Sequence, residues 1–117
     1  MSEALRALQR RVAEFAAARD WEPFHSPKNL AMALSVEAAE LVEEFQWLTE
    51  EQSRALDAER RERVRLELAD VFIYLLRLAD RLDVDLMRAA EDKIVQNERK
   101  YPADRVRGDS RKYTEYD

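Results

Sequence analysis

Four acidic residues are the part of this chain most able to do chemistry: Glu37 with Glu40, and Glu67 with Asp70, each pair separated by two positions inside a segment rich in apolar side chains. On an α-helix, residues three apart share a face, so each pair aims two carboxylates the same way. If the two helical faces pack together, four negative charges converge. Desolvating even one ionised carboxylate is expensive, and like charges nearby add to that, so such a cluster demands protons or cations. A divalent metal is the simplest neutraliser. Donor sets made only of carboxylate oxygens select hard cations, which points to Mg²⁺, with Mn²⁺ as a substitute. Carboxylate bundles that hold iron usually add Glu-x-x-His motifs, and the one histidine here, His25, lies in a proline-rich stretch. No EF-hand loop is present. Acids that hold Mg²⁺ and leave positions open for phosphate oxygens and an activated water are the machinery of metal-assisted phosphoryl hydrolysis. The competing reading is a solvated face on a non-catalytic helical interaction module, because 38% of the residues are charged and Glu-x-x-Glu is a common spacing on exposed helices.

The elements that must position these acids are helical. Glycine occurs once and proline three times in 117 residues, so the punctuation that hairpins require is missing and the chain reads as one all-α domain. From about Ser2 to Arg19, Leu5, Leu8, Val12, Phe15 and Ala16 recur at spacings of three and four. Pro23 and Pro27 interrupt that pattern, and Ser26 with Pro27 reads as the N-cap and first position of a second helix running to about Trp47. Thr49 to Gln52 fits a capping box for a short helix, and the charged run from Asp57 to Arg65 reads as a solvated face or loop. A third long helix, from roughly Arg60 to Arg81, has an apolar stripe wide enough to need more than one neighbour. Asp83 or Asp85 caps a fourth, which stops near Tyr101-Pro102. The polar tail from Ala103 to Asp117 reads on composition alone as disordered, giving a folded domain over 1–102 and a tail over 103–117.

A net charge of −5 argues against a nucleic-acid polymer as partner, because phosphate backbones are held by clustered Lys and Arg. With no cysteine, no long apolar span and a start that leads straight into an amphipathic segment, no disulfide framework and no membrane association are expected, and cytoplasm is the expected compartment.

Four blocks, in order, then become recognisable: Trp21-Glu-Pro-Phe-His25-Ser-Pro-Lys-Asn-Leu30, Glu37-Ala-Ala-Glu40-Leu-Val-Glu-Glu-Phe-Gln-Trp47, Glu67-Leu-Ala-Asp70-Val-Phe-Ile-Tyr74, and Lys93 through Asn97 to Tyr101-Pro102. Together with Arg107-Gly108 and Lys112-Tyr113-Thr114 in the tail, they closely resemble the MazG-like superfamily of all-α nucleoside triphosphate pyrophosphohydrolases, and its dCTP pyrophosphatase branch in particular. The resemblance implies a bundle of four main helices assembled as a dimer or as a tetramer of two dimers. It implies hydrolysis of a dNTP, dCTP or a modified dCTP, to the monophosphate and pyrophosphate, as a cleansing of the nucleotide pool. Glu37, Glu40, Glu67 and Asp70 would be catalytic Mg²⁺ ligands, while Trp21, His25, Trp47, Tyr74, Lys93 and Asn97 would contact the substrate. One departure bears on the base: members that favour cytosine carry a histidine where this chain has Val12. That leaves dUTP or another nucleotide open as the substrate.

Overall fold

A computed structural model describes residues 1–108. Among the described residues every regular element is helical: α1 (Glu3–Ala18), a 3₁₀ turn (Glu22–Phe24), α2 (Pro27–Glu43), α3 (Glu50–Ser53), α4 (Ala58–Arg81), α5 (Leu86–Lys100) and α6 (Ala103–Val106). The chain forms two compact units, one spanning Ser2–Val84 and the other comprising Met1 and the residues from Asp85 on.

α1 to α5 each start where a short polar side chain accepts from an otherwise unpaired backbone N–H. Ser2 Oγ accepts from Leu5, Ser26 Oγ from Asn29, Asp57 Oδ1 from Arg60 and Asp85 Oδ1 from Arg88. The Thr49 capping box is complete: Gln52 N–H donates to Thr49 Oγ1 at 3.1 Å and Thr49 N–H to Gln52 Oε1 at 2.9 Å. One expectation needs correction. α2 ends at Glu43 rather than Trp47, since the amides of Glu44 and Phe45 bond three residues back and tighten the chain into turns. Of the two readings of the charged run after Asp57, the solvated face holds: the Asp57 cap opens α4 at Ala58 and the charges lie on its wet side.

In the Ser2–Val84 unit, α4 is the central helix, packed mainly on α2 and also on α1. Its wide apolar stripe accounts for both neighbours. The core is small: Ala16, Leu30, Val64, Leu76 and Ala79 are buried, with Leu76 completely so. Gln9 Nε2 donates to the Leu76 carbonyl at 3.3 Å and pins α1 to the C-terminal part of α4. Much apolar surface stays in water, including Met32, Val36 and Val42 on α2 and Leu66, Leu68 and Phe72 on α4.

α1 and α4 end alike. Asp20 N–H donates to Ala17 O and Trp21 N–H to Ala16 O, while Asp83 N–H donates to Asp80 O and Val84 N–H to Ala79 O. These are Schellman closures, in which the residue after the C-cap takes a left-handed conformation. Asp20 and Asp83 do so at φ 54°, where glycine is the usual occupant.

In the other unit, α5 carries Lys93 and Asn97 one turn apart, both exposed. Within the region read as tail, Ala103–Val106 form one helical turn, and Lys112, Tyr113 and Thr114 lie outside the described residues.

Candidate active site

Packing α4 on α2 brings the two acid pairs together. One carboxylate oxygen from each of Glu37, Glu40, Glu67 and Asp70 lies within 4.8 Å of the others. The first three are half-buried and Asp70 is exposed. Among the described residues, Glu37 Oε2 and Glu67 Oε2 are buried and have no hydrogen-bond partner. Burial, then a hydrogen bond with Glu40 and the charges of Glu40, Asp70 and Glu67, push the Glu37 carboxyl up to about 7. Glu67 is raised as well, first by burial and then by Glu40 and Asp70. Tyr74, one turn beyond Asp70, is raised by burial and by the field of Glu37, Asp70 and Glu40.

Crowded, desolvated carboxylates of this kind can be neutralised by a cation as well as by protons. The donor set fits one: four oxygen ligands converge from two helices, two lone acceptors are already desolvated, and no sulfur or imidazole is within the set to favour a softer metal. Glu44 does not add a free fifth carboxylate. It sits between Arg60 and Arg63, with Oε2 at 3.0 Å from Arg63 Nε and 3.7 Å from Arg60 Nη1. The Glu44 carbonyl also accepts from Arg60 Nη1, so these contacts tie the end of α2 to the start of α4, below the acid cluster.

A cavity of about 470 Å³ opens beside Asp70. From α1 it is lined by Leu8, Arg11, Val12 and Phe15, from the following loop by Trp21 and His25, and from α4 by Asp70, Ile73, Tyr74 and Arg77. The Schellman closure places Trp21, whose ring meets Phe15 edge-on at 5.7 Å and stands 6.4 Å from the His25 ring. His25 is held from α4: Arg81 Nε donates to its carbonyl and Arg77 Nε to its Nδ1, each at 3.1 Å. Burial, then the charges of Arg77 and Arg81, pull the His25 pKa below the ordinary histidine value.

The folded unit therefore gathers Trp21, His25 and Tyr74 around one cavity, next to the four acids. Val12 lines the same cavity and contributes no polar group. Trp47 does not line it; the indole is 87% exposed in the turns after α2. Lys93 and Asn97 belong to the other unit. Sequence reasoning missed Arg77, Arg11 and Phe15 as lining residues. A signal for Arg77 was available, since a charge in the run Leu75-Leu76-Arg77-Leu78-Ala79, three residues past Tyr74, stands on the face that carries Asp70 and Tyr74.

Known proteins are similar in sequence and in fold. The profile of the MazG-like family matches residues 32–116. dCTP pyrophosphatase 1 of Homo sapiens is 50% identical over 113 residues, which cover 95% of this chain and 66% of that protein. The Bos taurus protein of the same name is 47% identical over 95% of this chain and 67% of its own length. The chain thus spans about two thirds of the length of these relatives. The crystal structure of a pyrophosphatase from Archaeoglobus fulgidus superposes with a TM-score of 0.81 at 39% identity, covering 87% of this chain and 95% of that one.

Proposed function

This chain belongs to the MazG-like family, and from that premise we propose that it is a nucleoside triphosphate pyrophosphohydrolase, dependent on Mg²⁺ or Mn²⁺, whose substrate is a pyrimidine dNTP such as dCTP or a modified dCTP. The observation that carries this reading is the convergence of Glu37, Glu40, Glu67 and Asp70 within 4.8 Å at the edge of a cavity lined by Trp21, His25 and Tyr74. The names of the mammalian and archaeal relatives support the same reaction class.

The four carboxylates would hold the cation and, by their placement, would set where the triphosphate lies. A divalent cation bound there supplies neutralisation of phosphate charge and a water of lowered pKa. Glu37, whose carboxyl is raised to about 7 by burial and by its acidic neighbours, would have to give up its proton to a bound cation, so metal affinity would rise with pH. With the base in the cavity beside Tyr74, the carboxylate side of the site meets the phosphates nearest the sugar. Attack of water at the α-phosphorus forms the monophosphate and breaks the bond to the α,β-bridging oxygen, releasing pyrophosphate. Trp21 and Tyr74, which line the cavity, offer aromatic rings to the base, a contact worth about 1–3 kcal/mol per base in other nucleotide sites.

The exposed apolar residues of α2 and α4, with Trp47, support self-association as a dimer or tetramer, which would bring such surface out of water. In this reading Lys93 and Asn97, one turn apart on α5, offer a cation and an amide to a phosphate and to a sugar or base edge of a nucleotide. No helix among the described residues is long and apolar enough to cross a membrane.

A panel of dNTPs assayed for pyrophosphate, with Mg²⁺ and with EDTA, tests the proposal. Pyrophosphate from dCTP only in the presence of the cation is the expected result. Release of orthophosphate alone, or equal turnover in EDTA, would sink it.

A further inference from the structure

The cavity wall contains a cation that the hydrolysis described above does not use. Arg77 lies three residues past Tyr74 and seven past Asp70 on α4, so the three share one face of the helix. It lines the cavity and is only 4% exposed. Its Nε donates to His25 Nδ1 at 3.1 Å and its Nη1 stands 3.5 Å from Asp80 Oδ2. Its Nη2 is buried and, among the described residues, has no partner. Guanidinium stays protonated at any working pH, so this charge cannot be shed to relieve the defect. Buried polar groups left unpaired are rare in folded proteins, and each calls for a missing partner.

Apart from Asp70 and the Tyr74 hydroxyl, which can accept as well as donate, the other polar groups on this wall are donors too. Because Nδ1 of His25 accepts from Arg77, the hydrogen of the neutral ring sits on Nε2. The lowered pKa of His25 keeps the ring in that neutral form. The Trp21 indole can only donate, and Arg11 adds a second cation. Asp70, the one carboxylate on the lining, is drawn into the acid cluster. Donors therefore outnumber acceptors around a space of about 470 Å³ whose remaining walls, Val12, Phe15 and Ile73 among them, are apolar. The complementary ligand is a flat ring with apolar faces and an edge of carbonyl oxygens or unprotonated ring nitrogens.

We propose that Arg77 is a specificity-determining residue of this cavity, its Nη2 donating to a ring carbonyl of a bound pyrimidine base. The inference rests on the nucleotide reading above and narrows it. Contact requires the guanidinium to shift toward the lumen, so that its Nε bond to His25 and its Asp80 contact must shift with it. Arg77 reads the acceptor edge that cytosine, uracil and thymine share, and as a pure donor it gives nothing to an exocyclic amino group. The cavity consequently selects pyrimidines by their acceptors, with little weight on the substituent that separates cytosine from uracil.

Binding of two probes, measured by calorimetry without metal, tests this directly: dTMP, and its 2,4-difluorotoluene isostere, which keeps the shape of thymine but lacks its carbonyl acceptors. Wild type is expected to bind dTMP about ten-fold or more tighter than the isostere, as suits a hydrogen bond from a charged donor. In R77M that ratio falls to within about two-fold, through loss of dTMP affinity alone. General damage to the cavity, including a displaced His25, would weaken both probes together and leave the ratio standing. Should R77M fail to fold, R77K takes its place, since a shorter side chain without the fork must still reduce the ratio at least about three-fold. An unchanged ratio in the folded variant, equal binding of the two probes by wild type, or binding of neither overturns the inference. Pyrophosphate release by wild type is read separately: its absence with the probe ratio intact overturns the enzymatic reading and leaves the role of Arg77 in place.

Discussion

Arg77 Nε donates to His25 Nδ1 at 3.1 Å, joining residues 52 positions apart in the sequence. That single contact fixes the tautomer of the imidazole, and the Arg81 bond to the His25 carbonyl fixes the backbone that carries it. The loop between α1 and α2 is thereby fastened to α4 beside the acid cluster. The cavity and the acid cluster consequently depend on the same helix.

His25→Ala removes the acceptor of Arg77 Nε and leaves a second donor of a buried cation unpaired. Urea unfolding should show a loss of about 1–3 kcal/mol. KM for dCTP should rise more than kcat falls, because the residue stands on the base side of the site. A variant with wild-type stability and KM would show that the contact is idle.

Glu40→Gln keeps the shape of the side chain and removes one of four converging charges. Pyrophosphate release should drop at least about 100-fold, since transition-state charge stabilisation of this kind is worth several kcal/mol. The metal-free protein should melt at a higher temperature than wild type, because like-charge repulsion is relieved. Stabilisation by Mg²⁺ should disappear in the same variant.

The Glu37 carboxyl is raised from 4.5 to about 7 in the metal-free fold, so between those values the folded state binds more protons than the unfolded chain. Stability from this group is complete below about pH 4.5 and is lost as pH rises through about 7. Melting in EDTA should therefore show a falling contribution across that window, which Glu37→Gln flattens. Saturating Mg²⁺ should reverse the trend by taking the place of the proton. A slope in EDTA that Glu37→Gln leaves unchanged would contradict the assignment.

Asp20 occupies the left-handed position of the α1 closure at φ 54°, a conformation that disfavours any Cβ. Asp20→Gly should raise stability by about 0.5–1 kcal/mol in chemical denaturation. Its effect on activity should be small, because the Trp21 N–H to Ala16 O bond that positions the indole is retained.

The helices were legible in the sequence because their starts are local. Ser2, Ser26, Thr49 and Asp85 each cap within three residues of their own position, and the apolar spacing of α1 and α4 needs no partner to be recognised. The end of α2 was not legible, since Leu41 to Trp47 keeps an apolar pattern and nothing local announces the tightened turns at Glu44 and Phe45. The run from Asp57 to Arg65 was ambiguous for the opposite reason: charge density alone does not separate a loop from the wet side of a helix, and the N-cap decides it.

By itself the sequence determined that two helices each carry a pair of acids on one face, because the three-residue spacing and the helical period are properties of the chain. Only tertiary packing decided that those faces meet within 4.8 Å, since the register of α2 on α4 is set by the burial of Leu30, Val64 and Leu76 rather than by the acids. Packing also decided that Trp21 turns toward Phe15 while Trp47 stays in water, two indoles that composition cannot tell apart. The same holds for Arg77, which reads as an interruption in an apolar run and becomes a buried donor only once His25 is brought against it. Local hydrogen bonds and periodicity are written in neighbouring residues; which desolvated groups end up facing one another is a property of the assembled core.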